Sequence, residues 1–131
     1  MKKKYSPAWK SSVQRRKQRK YRYNAPLHAR HKMLSAHLSR ELRKDFGFRS
    51  MALRKGDEVT VMNGENRKMK GSVTRVDMKS LKVYVDGIKK RKVSGQEVEI
   101  PIDPSNLKIT KLNLEDPKRK KIAERKKGAA K

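Results

Sequence analysis

The chain has 131 residues, of which 34% are hydrophobic and 39% are charged, and its formal net charge is +25. This composition is poor in apolar residues for a globular protein of that length, so a partner is expected to supply part of the burial. So large a positive charge predicts a polyanionic partner, for which nucleic acid is favoured over an anionic membrane. No run approaches the ~18–20 apolar residues of a membrane-spanning helix, which argues against membrane insertion.

The sequence lacks the residues and motifs that are typical of disulfide-bonded proteins, metal-binding proteins and common enzyme classes. The absence of cysteine excludes disulfides and thiolate metal sites. His28, His31 and His37 match no familiar ligand spacing, so neither a metal nor a cofactor is predicted. No Gly-x-Ser-x-Gly or His-Glu-x-x-His motif occurs and the carboxylates are scattered, which predicts a binding protein and not an enzyme. The absence of an apolar signal-peptide core after Lys4 favours the cytoplasm.

The charged residues are distributed unevenly along the chain. Residues 1–50 contain 16 Lys and Arg and 2 Asp and Glu, whereas residues 51–112 contain 14 and 8. Residues 113–131 contain 8 and 3. A soluble folded unit is expected to mix charges of both signs. We therefore predict a small folded module over 51–112, a basic N-terminal extension over 1–50 and a basic C-terminal tail over 113–131.

The N-terminal extension contains a run of arginines and tyrosines over residues 15–23. Guanidinium groups bind phosphates and stack on bases, and tyrosine rings stack on unpaired bases, so this pattern favours RNA. Basic runs are weakly specific, and a nuclear-import-like signal or a nonspecific arm is the alternative. Residues 10–22 have no apolar stripe, so a helix there is expected only against a partner that neutralises the charge. The candidate RNA-binding residues of the extension are Arg15, Arg16, Lys17, Arg19, Lys20, Tyr21, Arg22, Tyr23, His28, Arg30 and Lys32.

Short helices are predicted between this run and the folded module. Pro26 suits the first turn of a helix that runs to about Met33. Ser39 is a candidate N-cap of a further short helix that ends before Gly47. A stripe of apolar residues recurs every four positions and indicates a helical face. The stripe consists of Leu34, Leu38, Leu42 and Phe46.

The middle module alternates apolar and polar residues, as is typical of short β-strands. The spacing between Val73 and Val76 predicts a bulge or a strand that switches faces, and Pro101 predicts an edge strand or a bend. Five short strands with tight turns predict a mainly β fold and a small barrel. The other alternating positions are Val59 and Val61, then Leu81, Val83 and Val85, then Val98, Ile100 and Ile102, and finally Leu107 and Ile109.

A loop over residues 63–71 joins two of these strands and has glycines near its ends, which permit close approach to another backbone. Its cationic side chains are expected to reach phosphates, with peptide N–H groups as further donors. An ordinary solvated hairpin is the alternative, and the surrounding positive charge favours contact with RNA. No Gly-Lys-Ser/Thr sequence closes the loop, so it is not a nucleotide-binding P-loop. The candidate RNA-binding residues of the module are Arg54, Lys55, Asn63, Gly64, Arg67, Lys68, Lys70 and Gly71.

The residues on both sides of this loop resemble a KOW motif. The matching pattern is Lys55-Gly56-Asp57-x-Val59-x-Val61-x-x-Gly64, followed by Gly71-x-Val73-x-x-Val76. The motif is found on small SH3-like barrels, both in certain ribosomal proteins and in NusG-type transcription elongation factors. The resemblance therefore implies an SH3-like five-stranded barrel over 51–112. The chain departs from the motif at Lys68, where a glycine is usual.

The flanking residues distinguish between these families. Residues Asn24–His28, Ser35–Arg43, Arg49–Asp57 and Asp103–Leu112 are similar to the archaeal and eukaryotic type of large-subunit ribosomal protein twenty-four, which is twenty-six in the older eukaryotic numbering. An elongation factor would carry a larger N-terminal domain, for which this chain leaves no room. A DNA-compacting protein would bind duplex DNA as tightly as structured RNA. The ribosomal family is therefore favoured.

The resemblance to that family implies a structural protein of the large ribosomal subunit. It implies binding to the 5′ part of the large-subunit rRNA, a role early in assembly, and a position near the exit of the nascent-chain tunnel. Neighbouring ribosomal proteins and factors that dock at the exit would be its other partners. We expect the folded module to provide a shaped surface that docks on folded RNA, and the two extensions to carry most of the positive charge that binds phosphates. We also expect Gly71 to be required structurally where the strand leaves the loop.

Overall fold

The computed structural model describes residues 3–129 and contains four α-helices and eight β-strands within that range. The helices are α1 (Arg15–Tyr23), α2 (Leu27–Met33), α3 (Arg40–Phe46) and α4 (Pro117–Ala129). The strands are β1 (Ser35–Leu38), β2 (Ser50–Ala52), β3 (Glu58–Val61), β4 (Lys70–Asp77), β5 (Lys82–Val85), β6 (Lys89–Arg91), β7 (Glu97–Glu99) and β8 (Leu107–Lys111). Short 3₁₀ helices, Pro7–Ser11 and Pro104–Asn106, precede α1 and β8.

The strands form one sheet of six in the order β2-β1-β8-β3-β4-β5 and a separate β6-β7 hairpin. β1 runs parallel to β8, and the other neighbours in the sheet are antiparallel. The register shifts between Val73 and Arg75, so the strand is irregular at the position that the spacing predicts. The mainly β fold is confirmed. The sheet order is open within residues 3–129, with β2 and β5 at its edges, so the five-stranded SH3-like barrel is not confirmed.

One hydrophobic core supports the sheet. Burying a valine, leucine or isoleucine side chain contributes about 1.5–3 kcal/mol relative to leaving it exposed. The division of the chain at 50/51 and 112/113 stays a prediction, and residues from beyond both boundaries join this core. Those residues are Leu34, Ala36, Leu38 and Ala123. The centre of the core consists of Val59, Val61, Val73, Val83, Val85, Leu107 and Ile109.

The predicted helical stripe through Leu34 and Leu38 is wrong in its first half. Residues Ser35–Leu38 form β1, in which Leu38 and Ala36 are buried and His37 is exposed. A spacing of four residues is also a multiple of the two-residue period of a strand. Ala36, between Leu34 and Leu38, is only 1% exposed, so buried residues recur at every second position as they do in a strand. Pairing with β2, and with β8 about seventy residues later in the chain, decides the outcome.

The local signals for α2 and α3 are confirmed. α2 begins after Pro26 and ends at Met33. The Ser39 hydroxyl accepts a hydrogen bond from the Leu42 N–H at 3.3 Å and caps α3. Gly47 ends α3 in the left-handed conformation, with φ of 74°. These signals depend on neighbours in sequence, so tertiary pairing did not override them.

The predicted strand over residues 98–102 is divided at Pro101. β7 pairs with β6 in the hairpin, whereas Ile102 forms an isolated bridge with Val83 of β5. Proline lacks the N–H that a continuous ladder needs, so the chain bends there. The sequence analysis did not identify β6, because its three residues are all basic and exposed and show no apolar alternation.

The basic C-terminal tail contains α4, a helix that the sequence analysis did not predict. Its residues are mostly good helix formers, and Pro117 occupies its first position. Asp116 Oδ1 accepts a hydrogen bond from the Lys118 N–H at 2.9 Å. This N–H lowers the pKa of Asp116, an effect that burial opposes and the Arg54 guanidinium reinforces. Residues 130–131, at the end of the predicted tail, lie outside the described residues.

Candidate nucleic-acid interface

Residues 63–71, here called the KOW loop, join β3 to β4 and are closed by backbone hydrogen bonds. The Lys68 N–H donates to the Val61 carbonyl oxygen, and the Val61 N–H donates to the Met69 carbonyl oxygen, each at 2.9 Å. These bonds hold the loop in a compact turn from which its side chains extend into solvent. The exposed candidate residues of the loop are Asn63, Gly64, Arg67, Lys68 and Lys70.

Gly64 and Lys68 give the KOW loop its shape through left-handed backbone conformations. Gly64 has φ of 92° and Lys68 has φ of 72°. The conformation of Lys68 is one that a glycine, the usual residue of the motif here, adopts without a steric penalty. A side chain in this region costs on the order of 1–2 kcal/mol. The departure from the motif therefore keeps the conformation that glycine favours and adds a cation to the exposed surface.

Gly71 is half-buried where β4 leaves the KOW loop. A Cβ atom at this position would lie 2.5 Å from the Asp86 carbonyl oxygen and 2.8 Å from Val85 Cγ1. Both distances are shorter than Cβ atoms tolerate, and one of the two neighbours is backbone. These distances support the expectation that Gly71 is structurally required. A contact between Gly71 and RNA stays a prediction.

Asp57, the third residue of the KOW pattern, forms a buried ion pair with Arg119 of α4. The guanidinium binds both carboxylate oxygens, with Nη1–Oδ1 at 2.6 Å and Nη2–Oδ2 at 2.7 Å. The carboxylate also accepts hydrogen bonds from the N–H groups of Arg54 and Asn113, and the guanidinium donates to the carbonyl oxygens of Asn113 and Ala52. Because the side chains are 0% and 2% exposed, loss of either partner leaves an uncompensated buried charge. Asp57 therefore attaches α4 to the sheet.

Arg54 and Lys55, both predicted RNA contacts, lie immediately before Asp57. Lys55 is exposed. Arg54 pairs with Asp116 at the start of α4, and the two side chains are 40% and 34% exposed. Ion pairs this exposed contribute ~0–1 kcal/mol, so the pairing does not prevent Arg54 from binding a phosphate instead.

α1 carries the run of arginines and tyrosines, and none of residues 15–23 is buried. The Tyr21 ring stacks on Tyr5, with centroids 5.4 Å apart and an interplanar angle of 18°. Partial burial and the neighbouring Tyr21 raise the pKa of Tyr5. Tyr23, at the end of the helix, is 78% exposed. The cations of α1 are the exposed Arg15, Arg16, Arg19 and Arg22 and the half-buried Lys17 and Lys20.

Arg30 of α2 points inward and has a structural role that the sequence analysis missed. Its Nε donates to the Ala25 carbonyl oxygen at 2.8 Å, and its Nη2 donates to the Tyr23 carbonyl oxygen at 2.6 Å. Its Nη1 donates to the Lys79 carbonyl oxygen in the β4–β5 turn at 3.1 Å. The guanidinium thus joins the end of α1 to that turn, and a contact of Arg30 with RNA stays a prediction.

The histidines and the other candidate residues of α2 lie near the surface. His28 and Lys32 are exposed, and His31 is half-buried. His37 Nδ1 lies 3.5 Å from Arg43 Nη2. Within residues 3–129, no group of three His, Cys, Asp or Glu side chains is arranged to hold a metal ion. No helix in the described part of the chain is long and apolar enough to cross a membrane.

A cleft of about 1210 Å³, here called the α1 cleft, lies between α1 and the β4–β5 turn. It brings together several of the predicted RNA-binding residues: Arg19, Tyr21, Arg22, Tyr23 and Arg30. The KOW loop enters β4 at Lys70, and the turn beside the cleft follows Asp77. Seven steps along a strand span about 23 Å. The KOW loop and the α1 cleft therefore lie toward opposite ends of β4.

Two further sets of exposed cations were not among the predicted RNA-binding residues. The β6-β7 hairpin presents a run of four, and α4 presents others along its outer side. Charge runs of this kind were visible in the sequence, but nothing in them distinguished a hairpin or a helix from a solvated tail. The exposed cations include Lys89, Lys90, Arg91 and Lys92 in the hairpin, and Lys118, Lys120, Lys121, Arg125 and Lys127 in α4.

The chain is similar to known proteins over most of its length. The large ribosomal subunit protein uL24 of Korarchaeum cryptofilum (strain OPF8) is 52% identical over 110 residues, which is 84% of each chain. The protein of the same name from Methanothrix thermoacetophila is 49% identical over 114 residues, covering 87% of this chain and 98% of that relative. The profile of the family described as the eukaryotic ribosomal proteins L26 and their archaeal L24 counterparts matches residues 12–126. The resemblance of the flanking residues is thereby confirmed, and the chain belongs to this family of eukaryotic L26 and archaeal L24 ribosomal proteins.

Proposed function

We propose that this protein is a structural constituent of the large ribosomal subunit that binds the 5′ region of the large-subunit rRNA. Its family is structural and not enzymatic, and its relatives are named as large ribosomal subunit proteins, so the expected location is the ribosome in the cytoplasm. The observation that carries the proposal is the presence of exposed cations toward both ends of β4, on a rigid sheet. Phosphates of folded RNA, and not a single small ligand, match cations spaced so far apart.

The two groups of cations support different parts of the binding. The nine residues of α1 carry six cations and no buried side chain, so that helix is free to follow a phosphate backbone. The KOW loop is held in a compact turn by backbone hydrogen bonds and presents the exposed side chains of Arg67, Lys68 and Lys70. If about ten phosphates are neutralised, the logarithm of the binding constant falls with the logarithm of salt concentration with a slope of roughly −7 to −9.

An SH3-like barrel formed mainly by β3, β4, β5 and β8 is part of the proposal. These strands are neighbours in the order β8-β3-β4-β5. The bridge between Val83 and Ile102 joins β5 to the segment that leads into β8, so the edges of this group approach each other. The barrel supplies a rigid base for the KOW loop.

Early assembly and a position near the nascent-chain exit complete the proposal. A basic extension that follows RNA has to be in place before the surrounding RNA folds over it, which favours early binding. Neighbouring ribosomal proteins, and factors that dock at the exit, are the partners that the family resemblance implies. The position at the exit depends on that resemblance alone.

The test is binding of the purified full chain to three probes across a salt series. The probes are a transcript of the 5′ region of the large-subunit rRNA, an unrelated structured RNA and duplex DNA. We expect tighter binding to the rRNA transcript, with a preference that persists at high salt because shape contributes as well as charge. Equal affinities that fall together with salt would describe a nonspecific polycation and contradict the proposal.

A further inference from the structure

We propose that the α1 cleft holds one unpaired nucleotide of the bound RNA, with its base against the apolar floor and its phosphates against the cations of the rim. This inference rests on the proposed function, because it names the form of RNA that one surface binds. It assigns a ligand to a site that the KOW loop does not reach, toward the other end of β4.

The rim of the α1 cleft is positively charged. Arg19, Arg22 and Lys79 line it and are exposed, and within residues 3–129 none of them forms an ion pair. The acidic residue in the lining is Asp103, whose Oδ1 accepts a hydrogen bond from Lys82 Nζ at 2.8 Å. With that carboxylate neutralised, the field across the cleft favours an anion.

The floor of the cleft distinguishes an unpaired nucleotide from a duplex. Leu81 and Pro104 are buried beneath it, and Met33 is half-buried. Contact with a duplex backbone involves phosphates and sugars and needs no apolar floor, whereas an unpaired base presents flat faces that pack on apolar and aromatic groups. Tyr23 supplies an exposed ring, and the Tyr21 ring is stacked on that of Tyr5. The volume of about 1210 Å³ accommodates a nucleotide together with its flanking phosphates.

The walls of the cleft are held in place before any ligand binds. Arg30 joins the end of α1 to the β4–β5 turn. Within that turn Asp77 accepts hydrogen bonds from the Lys79 N–H at 2.8 Å and the Ser80 hydroxyl at 2.6 Å. Leu81 follows with φ of 58°, a conformation that L residues rarely adopt and that persists only when the surroundings require it. A preformed cleft lowers the ordering cost of binding.

The experiment measures fluorescence anisotropy of two labelled probes, a short single-stranded oligoadenylate and a short RNA duplex, with the full chain. Tyr23→Ala removes an exposed ring and keeps the backbone carbonyl that Arg30 binds. Ser105→Trp fills the cleft without changing its charge, and Ser94→Trp, on the β6-β7 hairpin, is the matched control. We expect Tyr23→Ala and Ser105→Trp each to weaken binding of the oligoadenylate about tenfold. The duplex affinity, and both affinities of Ser94→Trp, should stay within about twofold of the unmodified protein.

Equal losses with both probes, or no loss with either, would overturn the inference, since the cleft would then contact phosphates alone or no RNA. Displacement of the oligoadenylate by a polyglutamate peptide as readily as by more oligoadenylate would also overturn it. Circular dichroism establishes that each variant is folded. The preference of the unmodified chain for the rRNA transcript, measured separately, tests the proposed function. If the unmodified chain prefers the rRNA transcript but the two cleft variants bind the oligoadenylate normally, the nucleotide site is wrong and the ribosomal function stands. If the unmodified chain shows no such preference but the two variants lose oligoadenylate binding as expected, the ribosomal function is wrong and the nucleotide site stands.

Discussion

α1 and α4 are both short, strongly basic helices, yet they are attached to the molecule in different ways. None of residues 15–23 is buried, whereas Arg119 and Ala123 of α4 are. α4 begins beside Asp116, whose carboxylate binds its first turn, while α1 has no acidic residue in its first turn and no side-chain cap. The difference indicates that α4 is part of the fold because it buries Arg119, opposite the Asp57 carboxylate, together with Ala123. α1 buries no side chain, so its cations stay available for a partner.

The energetics of isolated helices support this contrast. α1 is nine residues long, and helices of that length are marginal in water without tertiary support. Its cations also repel one another, as in the pair Arg15 and Arg19, four residues apart. Its tertiary support comes from the Tyr5–Tyr21 stack and from Arg30 at its final carbonyl group. RNA that neutralises the repulsion is therefore expected to stabilise α1 more than α4.

The largest effect is expected from removing the carboxylate that holds α4. Asp57→Ala leaves Arg119 charged and buried, so the free energy of unfolding should fall by about 3–5 kcal/mol. Glu58→Ala is the matched control, because the neighbouring carboxylate forms an exposed pair with Lys111 and should contribute less than ~1 kcal/mol. Urea unfolding of both variants measures the difference. Similar losses in the two would contradict the structural role of Asp57.

A second experiment compares the cations of the two helices directly. Replacing Arg15, Arg16 and Arg19 with glutamine should reduce the magnitude of the salt slope for rRNA binding by about 2–3, without loss of stability because the replacement relieves repulsion within α1. The matched variant replaces Lys120, Lys121 and Arg125, on the outer side of α4, with glutamine as well. We expect a smaller change in slope from the α4 variant. Equal changes would show that both helices bind phosphates to the same extent.

A third experiment separates charge from backbone conformation in the KOW loop. Lys68→Gly relieves a left-handed lysine, so the protein should become more stable by up to about 1–2 kcal/mol. The same change removes one cation, and the magnitude of the salt slope should fall by about 1. Arg67→Ala is the control that removes a cation without relieving the backbone. Thermal unfolding and the salt series together check both parts, and an unchanged or lower stability of Lys68→Gly would contradict the account of the loop.

The smallest effect is a pH dependence at the start of α4. The pKa of Asp116 is lowered, so its stabilising contribution is present above the ordinary pKa of an aspartate, about 3.9, and is lost as pH falls through the lowered value. Asp116→Asn should abolish that part of the acid sensitivity. α1 has no acidic residue in its first turn and should show no matching change. Circular dichroism during acid titration of both proteins measures the effect, and identical titration curves would contradict it.

The elements predicted correctly from the sequence are those whose determinants are local. Ser39 and Gly47 define α3 because a cap and a left-handed glycine act on adjacent residues. The register shift after Val73 was visible as a break in a two-residue period. β1 was missed because its residues become a strand by pairing with β2 and with β8, and β8 lies about seventy residues later in the chain.

The candidate site was predictable in composition but not in geometry. Arg30 and Arg119 look like other members of basic runs, and nothing beside them in the sequence marks them as inward-facing. Their partners are carbonyl groups of the β4–β5 turn in one case and Asp57 in the other, 62 residues away from Arg119. Conversely, Lys68 was identified as a departure from the KOW motif, and its backbone conformation became clear from the structure alone.

The most direct test of the contrast between the two basic helices is amide hydrogen exchange, measured residue by residue in the free protein and in its complex with the rRNA transcript. In the free protein we predict strongly protected amides in α4 around Arg119 and Ala123, and weaker protection in α1, which is held by the Tyr5–Tyr21 stack and by Arg30 at its end. In the complex, α1 should gain protection while α4 changes little. Equal protection of the two helices in the free protein, or no gain in α1 on binding RNA, would contradict the account.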